Sequence, residues 1–89
     1  MPLRMRGVRG EVRAGYKVAA QLGEWNMDES GRVEATPDEI NEYWLDQTNK
    51  HSLWLWIGKR AWVWHEAEVV DRGTPFIVRV IGSPVVRDI

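Results

Sequence analysis

The chain has 89 residues, no cysteine, six tryptophans, and twelve basic against thirteen acidic side chains. That length makes one domain, too small for an enzyme with a deep cofactor cleft. Without thiols there is no disulfide framework and no thiolate metal site.

The charge is uneven. Residues 1–17 carry Arg4, Arg6, Arg9, Arg13 and Lys17 against Glu11 alone, a net of +4, whereas residues 18–50 carry eight acidic and two basic groups, a net of −6. A basic start beside an acidic middle marks either a partner surface or self-neutralisation within the fold. The longest apolar run, residues 53–57, is far short of the roughly 20 residues that span a bilayer. No apolar stretch follows the basic start to make a signal peptide. A soluble cytoplasmic protein without a membrane partner is expected.

Residues 1–10 alternate Arg and Gly and read as a flexible basic arm or a frayed first strand. Gly7-Val8-Arg9-Gly10 matches a bare G-x-x-G nucleic-acid loop, but nothing helical precedes it. Tyr16, Val18, Ala20 and Leu22 alternate with Lys17, Ala19 and Gln21, the period of a half-buried strand. It continues towards Met27. Asp28-Glu29-Ser30-Gly31 has the residues of a type I turn, returning through Arg32 to Ala35.

Thr36-Pro37-Asp38-Glu39 carries a helix-start pattern: Thr36 as N-cap, Pro37 at the first helical position, Glu39 to complete a capping box. Ile40, Tyr43, Trp44 and Gln47 then fall on one stripe, so a helix is expected over 37–48, stopping in Asn49-Lys50-His51-Ser52. Residues 53–57, 61–70 and 76–81 return to period two as three strands, and Gly82-Ser83-Pro84 ends the last. The expected fold is therefore α+β: a small, mostly antiparallel sheet in the order β-β-α-β-β-β, packed on one amphipathic helix. Residues 11–84 form the domain and 85–89 a short tail.

Face assignment decides where the tryptophans go. A four-residue loop from Asp71 to Thr74 pairs Glu66 with Arg79 and Val69 with Phe76, which is better chemistry than the three-residue alternative. One face then carries Val63, His65, Ala67, Val69, Phe76, Val78 and Val80, and the charged outer face carries Trp62, Trp64, Glu66, Glu68, Ile77, Arg79 and Ile81. For the preceding hairpin, a two-residue turn at Gly58-Lys59 turns Trp54 and Trp56 inward. A three-residue loop puts Leu53, Leu55 and Ile57 into the core and gathers Trp54 and Trp56 with Trp62 and Trp64 outside. The second is preferred for its more coherent core. Six indoles would fill roughly 900–1,500 Å² of a small interior, so part of that surface is expected to meet another molecule, unless the N-terminal strands fold over it.

Catalysis is not expected. His65-Glu66-Ala67-Glu68-Val69 begins like a zinc-protease motif without its second His, His51 reads as a solvated loop histidine, and Ser30, Ser52 and Ser83 as turn hydroxyls. No metal or cofactor is implied. The leading expectation is a non-enzymatic module that docks a protein or self-associates, as a dimer, through Trp62, Trp64, Ile77, Arg79 and Ile81, with Trp54 and Trp56 as further anchors. The alternative is single-stranded nucleic-acid binding through exposed tryptophan together with Arg4, Arg6 and Arg9.

The short, Cys-free, Arg- and Trp-rich chain resembles the small orphan accessory proteins encoded by actinobacterial phages. That resemblance rests on composition, with no motif behind it, and carries over no site residue. It implies an accessory protein acting on a host or virion component in the host cytoplasm.

Overall fold

Apolar and polar residues alternate along most of the chain, and that alternation builds a barrel. The structure is a computed structural model describing residues 4–48 and 50–88. The first three residues of the expected arm, Asn49 in the expected helix stop and Ile89 in the expected tail lie outside them. The described residues form β1 (Met5–Gly7), β2 (Arg9–Ala14), β3 (Lys17–Met27), β4 (Arg32–Ile40), α1 (Glu42–Asp46), β5 (His51–Ile57), β6 (Arg60–Asp71), β7 (Phe76–Ile81) and β8 (Val85–Asp88). Six strands close a ring in the order β2-β3-β4-β7-β6-β5 and back to β2, every pairing antiparallel. Closure removes most exposed sheet edges. Two outer strands extend the wall: β1 continues beside β3, and β8 beside the start of β6.

This overturns the α+β expectation. Among the described residues no amphipathic helix covers a sheet, and residues 36–40 are strand, paired with β3 on one side of β4 while residues 32–35 pair with β7 on the other. Pro37 faces Leu22 at a register irregularity, where a residue without an N–H costs no ladder bond. The helix is five residues long, and Asn41, rather than Thr36, caps it: its side-chain oxygen accepts from the Trp44 N–H at 3.4 Å. The expected stripe is not its buried face, since Tyr43 is exposed and Leu45 is the residue that enters the core.

The expected arm and tail belong to the wall as β1, β2 and β8. The turn at Asp28-Glu29-Ser30-Gly31 falls where expected, with the Gly31 N–H donating to the Asp28 carbonyl at 3.2 Å.

The face assignment of β6 is corrected by one bulge. His51 pairs with Ala67 but Leu53 pairs with Trp64, so β6 spends one residue more than β5 between the two pairs. His65 and Glu66 are consecutively exposed, and the alternation changes parity there. Below the bulge Trp62 and Trp64 face inward with Leu53 and Leu55, while Ala61 and Val63 face outward. Above it Ala67 and Val69 point inward with Phe76 and Val78, as expected, although the register pairs Val69 with Val78 and Glu68 with Arg79. The β5–β6 turn is the two-residue one: Ile57 pairs with Arg60, and Gly58 holds φ +60° as its first residue. The preferred three-residue loop is thus overturned, as is the inward placing of Trp54 and Trp56 that went with the shorter turn.

The two ends of the barrel differ, and each has a cavity beside it. Leu45 of α1 joins the core between the β2–β3 turn and the β6–β7 loop, and His51 is buried beneath it. At the far end, the β3–β4 turn, β1 and the β7–β8 connection surround a cavity with Trp62 and Trp64 in its wall.

Candidate functional site

The sequence-derived docking residues do not share one surface. Trp62 and Trp64 lie inside the barrel wall, Trp64 being buried and Trp62 half-buried. Ile77, Arg79 and Ile81 face outward on β7, as expected, beside β4. Trp54 and Trp56 face outward on β5, where Trp56, Ala61 and Val63 make a second small apolar cluster with Trp54 packed against it.

Around that cluster the strand pairing assembles a different constellation. β2 pairs with β5 so that Arg9 lies opposite Trp56, Glu11 opposite Trp54 and Arg13 opposite Ser52. Successive outward positions of β2 thus set two guanidiniums beside two indoles. The rings of Trp54 and Trp56 stack at 5.9 Å between centroids and 28° between planes. The Arg9 guanidinium sits 4.2 Å from the centre of Trp56, and that of Arg13 sits 3.9 Å from Trp54. From the other side β8 supplies Arg87, 5.6 Å from Trp54 and opposite Ala61 in the ladder. Such contacts fix the guanidinium planes at little entropic cost and leave their N–H edges directed away from the ring.

Glu11 is the local counter-charge, 2.7 Å from Arg13, so Arg9, Arg13, Arg87 and Glu11 sum to +2. Arg60 is engaged by Asp88 at 3.0 Å. The Trp56 indole N–H is buried without an acceptor among the described residues. Such a donor costs the fold about 1–3 kcal/mol.

Of the expected nucleic-acid contacts, Arg9 belongs to this face, whereas Arg4 and Arg6 line a groove beside β1 and β3 with Asn26, Asp28, Arg32 and Glu34. Sequence reasoning missed Arg13, Arg87 and Glu11. The period-two run Arg9-x-Glu11-x-Arg13 was the available signal, masked by reading its first half as an arm. Comparison with protein-family models, curated proteins and solved structures finds no match. The site therefore has to be read from its own chemistry.

Of the residues weighed for catalysis, His51, Ser52 and His65 line one cavity of about 540 Å³ with Trp44 and Lys50, whereas Ser30 and Ser83 lie elsewhere. Ser30 is tied into the β3–β4 turn, its hydroxyl and N–H both donating to Asp28 Oδ1 at 2.6 and 2.9 Å. Ser52 lies in β5 rather than in a turn, and Ser83 is an exposed residue of the β7–β8 connection. His65 is exposed on the β6 bulge. His51 is no solvated loop residue: it is 6% exposed, and its Nε2–H donates to the Leu45 carbonyl at 3.1 Å. Burial, with a smaller contribution from the Arg72 charge, pushes its pKa below the ordinary histidine value, against the raising effect of the Leu45 hydrogen bond.

Proposed function

We propose that this protein is a non-enzymatic binding module whose working surface is the outer Arg/Trp face, and that its partner is single-stranded nucleic acid. One observation supports this reading above the others: Arg9 of the basic N-terminal segment is stacked on Trp56 and Arg13 on Trp54. The two ingredients of single-strand binding, a cationic track and flat stacking surfaces, are therefore one surface. A guanidinium over an indole keeps its charge beside the ring, where a base can stack and a phosphate can pair with it. With three arginines engaged, affinity should fall with salt at a logarithmic slope of roughly −2, about a twentyfold loss between about 50 and 200 mM salt.

The test is fluorescence anisotropy of a labelled oligothymidylate titrated with the protein at two salt concentrations. Wild type should bind with that slope, and an Arg9→Ala/Arg13→Ala variant should lose at least tenfold in affinity while keeping its circular dichroism. Salt-independent binding, or a variant that binds as well as wild type, sinks the reading.

A second reading, protein docking or self-association, draws on β8. Among the described residues that strand has one paired edge, and its Val85 and Val86 are 44% and 42% exposed. A bare strand edge is a template for pairing with another chain. A dimer mass by light scattering, without any response to the oligonucleotide, would favour it. Either partner suits the accessory role that the resemblance to phage proteins implies.

A further inference from the structure

The far end of the barrel carries a second feature, on the opposite side of the β6 wall from the Arg/Trp face. An inward-facing residue of a small closed barrel is normally sealed by its neighbours. Leu53, Leu55 and Trp64 follow that rule, but Trp62, paired with Leu55 on the same inner face, is only half-buried. It opens into a cavity of about 380 Å³, walled by Trp62, Trp64, Met5 and Met27 and rimmed by Asp28 and Glu29. This volume lies within the range of small-molecule sites, which favour the mouths of β-barrels.

Charge selects among ligands. Among the described residues no lysine or arginine lines this cavity, while Arg4, Arg6 and Arg32 line the adjoining groove that shares Met5, Met27 and Asp28. Within that groove Arg32 turns to Glu34 at 3.0 Å. Asp28 Oδ1 takes hydrogen bonds from the Ser30 N–H, the Ser30 hydroxyl and the Arg32 N–H. These bonds, that of the Ser30 side chain foremost, hold the Asp28 pKa below the ordinary carboxylate value, so the rim is anionic at neutral pH. Indole faces attract cations through their quadrupole, and thioether side chains adapt to irregular apolar shapes. An aromatic wall beneath an acidic rim fits one chemistry: a positive centre carried on an apolar body.

We infer that this mouth of the barrel binds a small organic cation of the alkylated-ammonium class, its apolar body against Trp62 and Trp64 and its charge towards Asp28 and Glu29. This site works independently of the Arg/Trp face.

The probe is benzyltrimethylammonium, titrated into the ¹⁵N-labelled full chain with the indole N–H resonances followed by NMR. The expected result is a saturable shift of the Trp62 and Trp64 signals, with those of Trp54 and Trp56 unmoved. Glu29 is exposed, so Glu29→Gln preserves the fold and should weaken binding about fivefold. Trp62→Ala should abolish it; if that variant does not fold, Glu29→Gln and an anion of the same shape, phenylacetate, still decide the matter. Absence of saturable shifts, equal binding of phenylacetate, undiminished affinity in Glu29→Gln, or shifts confined to Trp54 and Trp56 would each overturn the inference.

Discussion

Trp25 donates its indole N–H to the Arg9 carbonyl at 2.8 Å, and its ring lies flat against Gly7. A Cβ on Gly7 would come within 2.7 Å of the ring. Trp25 is 1% exposed and anchored by that bond, so it has little room to give way. Gly7→Ala should therefore destabilise the protein by about 1–3 kcal/mol, the usual cost of overpacking. Urea unfolding would measure it. Because the same contact holds Arg9 in register opposite Trp56, the variant should also bind oligonucleotide more weakly under conditions where it remains folded. Unchanged stability would show that Trp25 yields freely.

Glu11 restrains Arg13, and removing its charge should release it. Glu11→Gln leaves the side chain the same size beside Arg13 and deletes the one anion of the Arg/Trp face. Oligonucleotide affinity should rise several-fold at low salt as the repulsion between Glu11 and the phosphates is removed, with the salt slope still set by the three arginines. Weaker binding would mean that Glu11 matters by orienting the guanidinium.

What the sequence made legible, and what it hid, divides by the range of the interactions involved. The period-two strands, the Asp28–Gly31 turn and the inner face shared by Ala67, Val69, Phe76 and Val78 were readable because neighbours in the chain determine them. Thr36-Pro37-Asp38-Glu39 misled because its cap chemistry is local, while the demand that makes it strand comes from β3, around the ring. The His65-Glu66 pair was the written trace of the bulge: two polar residues in succession break strict alternation. Treating that strand as unbroken carried the correct upper faces into the wrong lower ones and sent Trp62 and Trp64 outside. For the site, the expectation that tryptophan and arginine share an outer surface survives for Trp54, Trp56 and Arg9. The local period-two run placed Arg13 beside Arg9, whereas Arg87 comes from a strand pairing that local pattern does not encode.

Two kinds of attachment hold α1 at its end of the barrel, and they should differ in magnitude. Arg72 reaches from the β6–β7 loop to Glu42 and to Asp46, the latter at 2.7 Å, with all three side chains well exposed. Water and salt screen such pairs, so Arg72→Ala should cost under about 1 kcal/mol and less at high salt. Leu45 is 1% exposed in the core, and Leu45→Ala should cost about 2–5 kcal/mol through lost burial and the cavity left behind. Equal losses in thermal unfolding would mean that the ion pairs, rather than the leucine, fasten the helix.

His51 should make stability depend on pH. Its Nε2–H donates to the Leu45 carbonyl, so the buried ring is neutral with Nδ1 unprotonated, and a second proton would place a charge where burial and Arg72 both oppose it. The folded-state pKa is therefore depressed, while the unfolded chain keeps the ordinary value of about 6.5. Between the two values the unfolded state binds more protons, so the free energy of unfolding rises with pH across that window. The contribution of His51 is complete above about pH 6.5, declines as the pH falls below it, and is lost once the pH passes below the folded-state pKa. In His51→Gln, which keeps a donor for the Leu45 carbonyl but cannot titrate, urea midpoints between about pH 7 and pH 5 should lose the fraction of the acid sensitivity that His51 supplies. A variant with the wild-type pH profile would assign that sensitivity to the carboxylates instead.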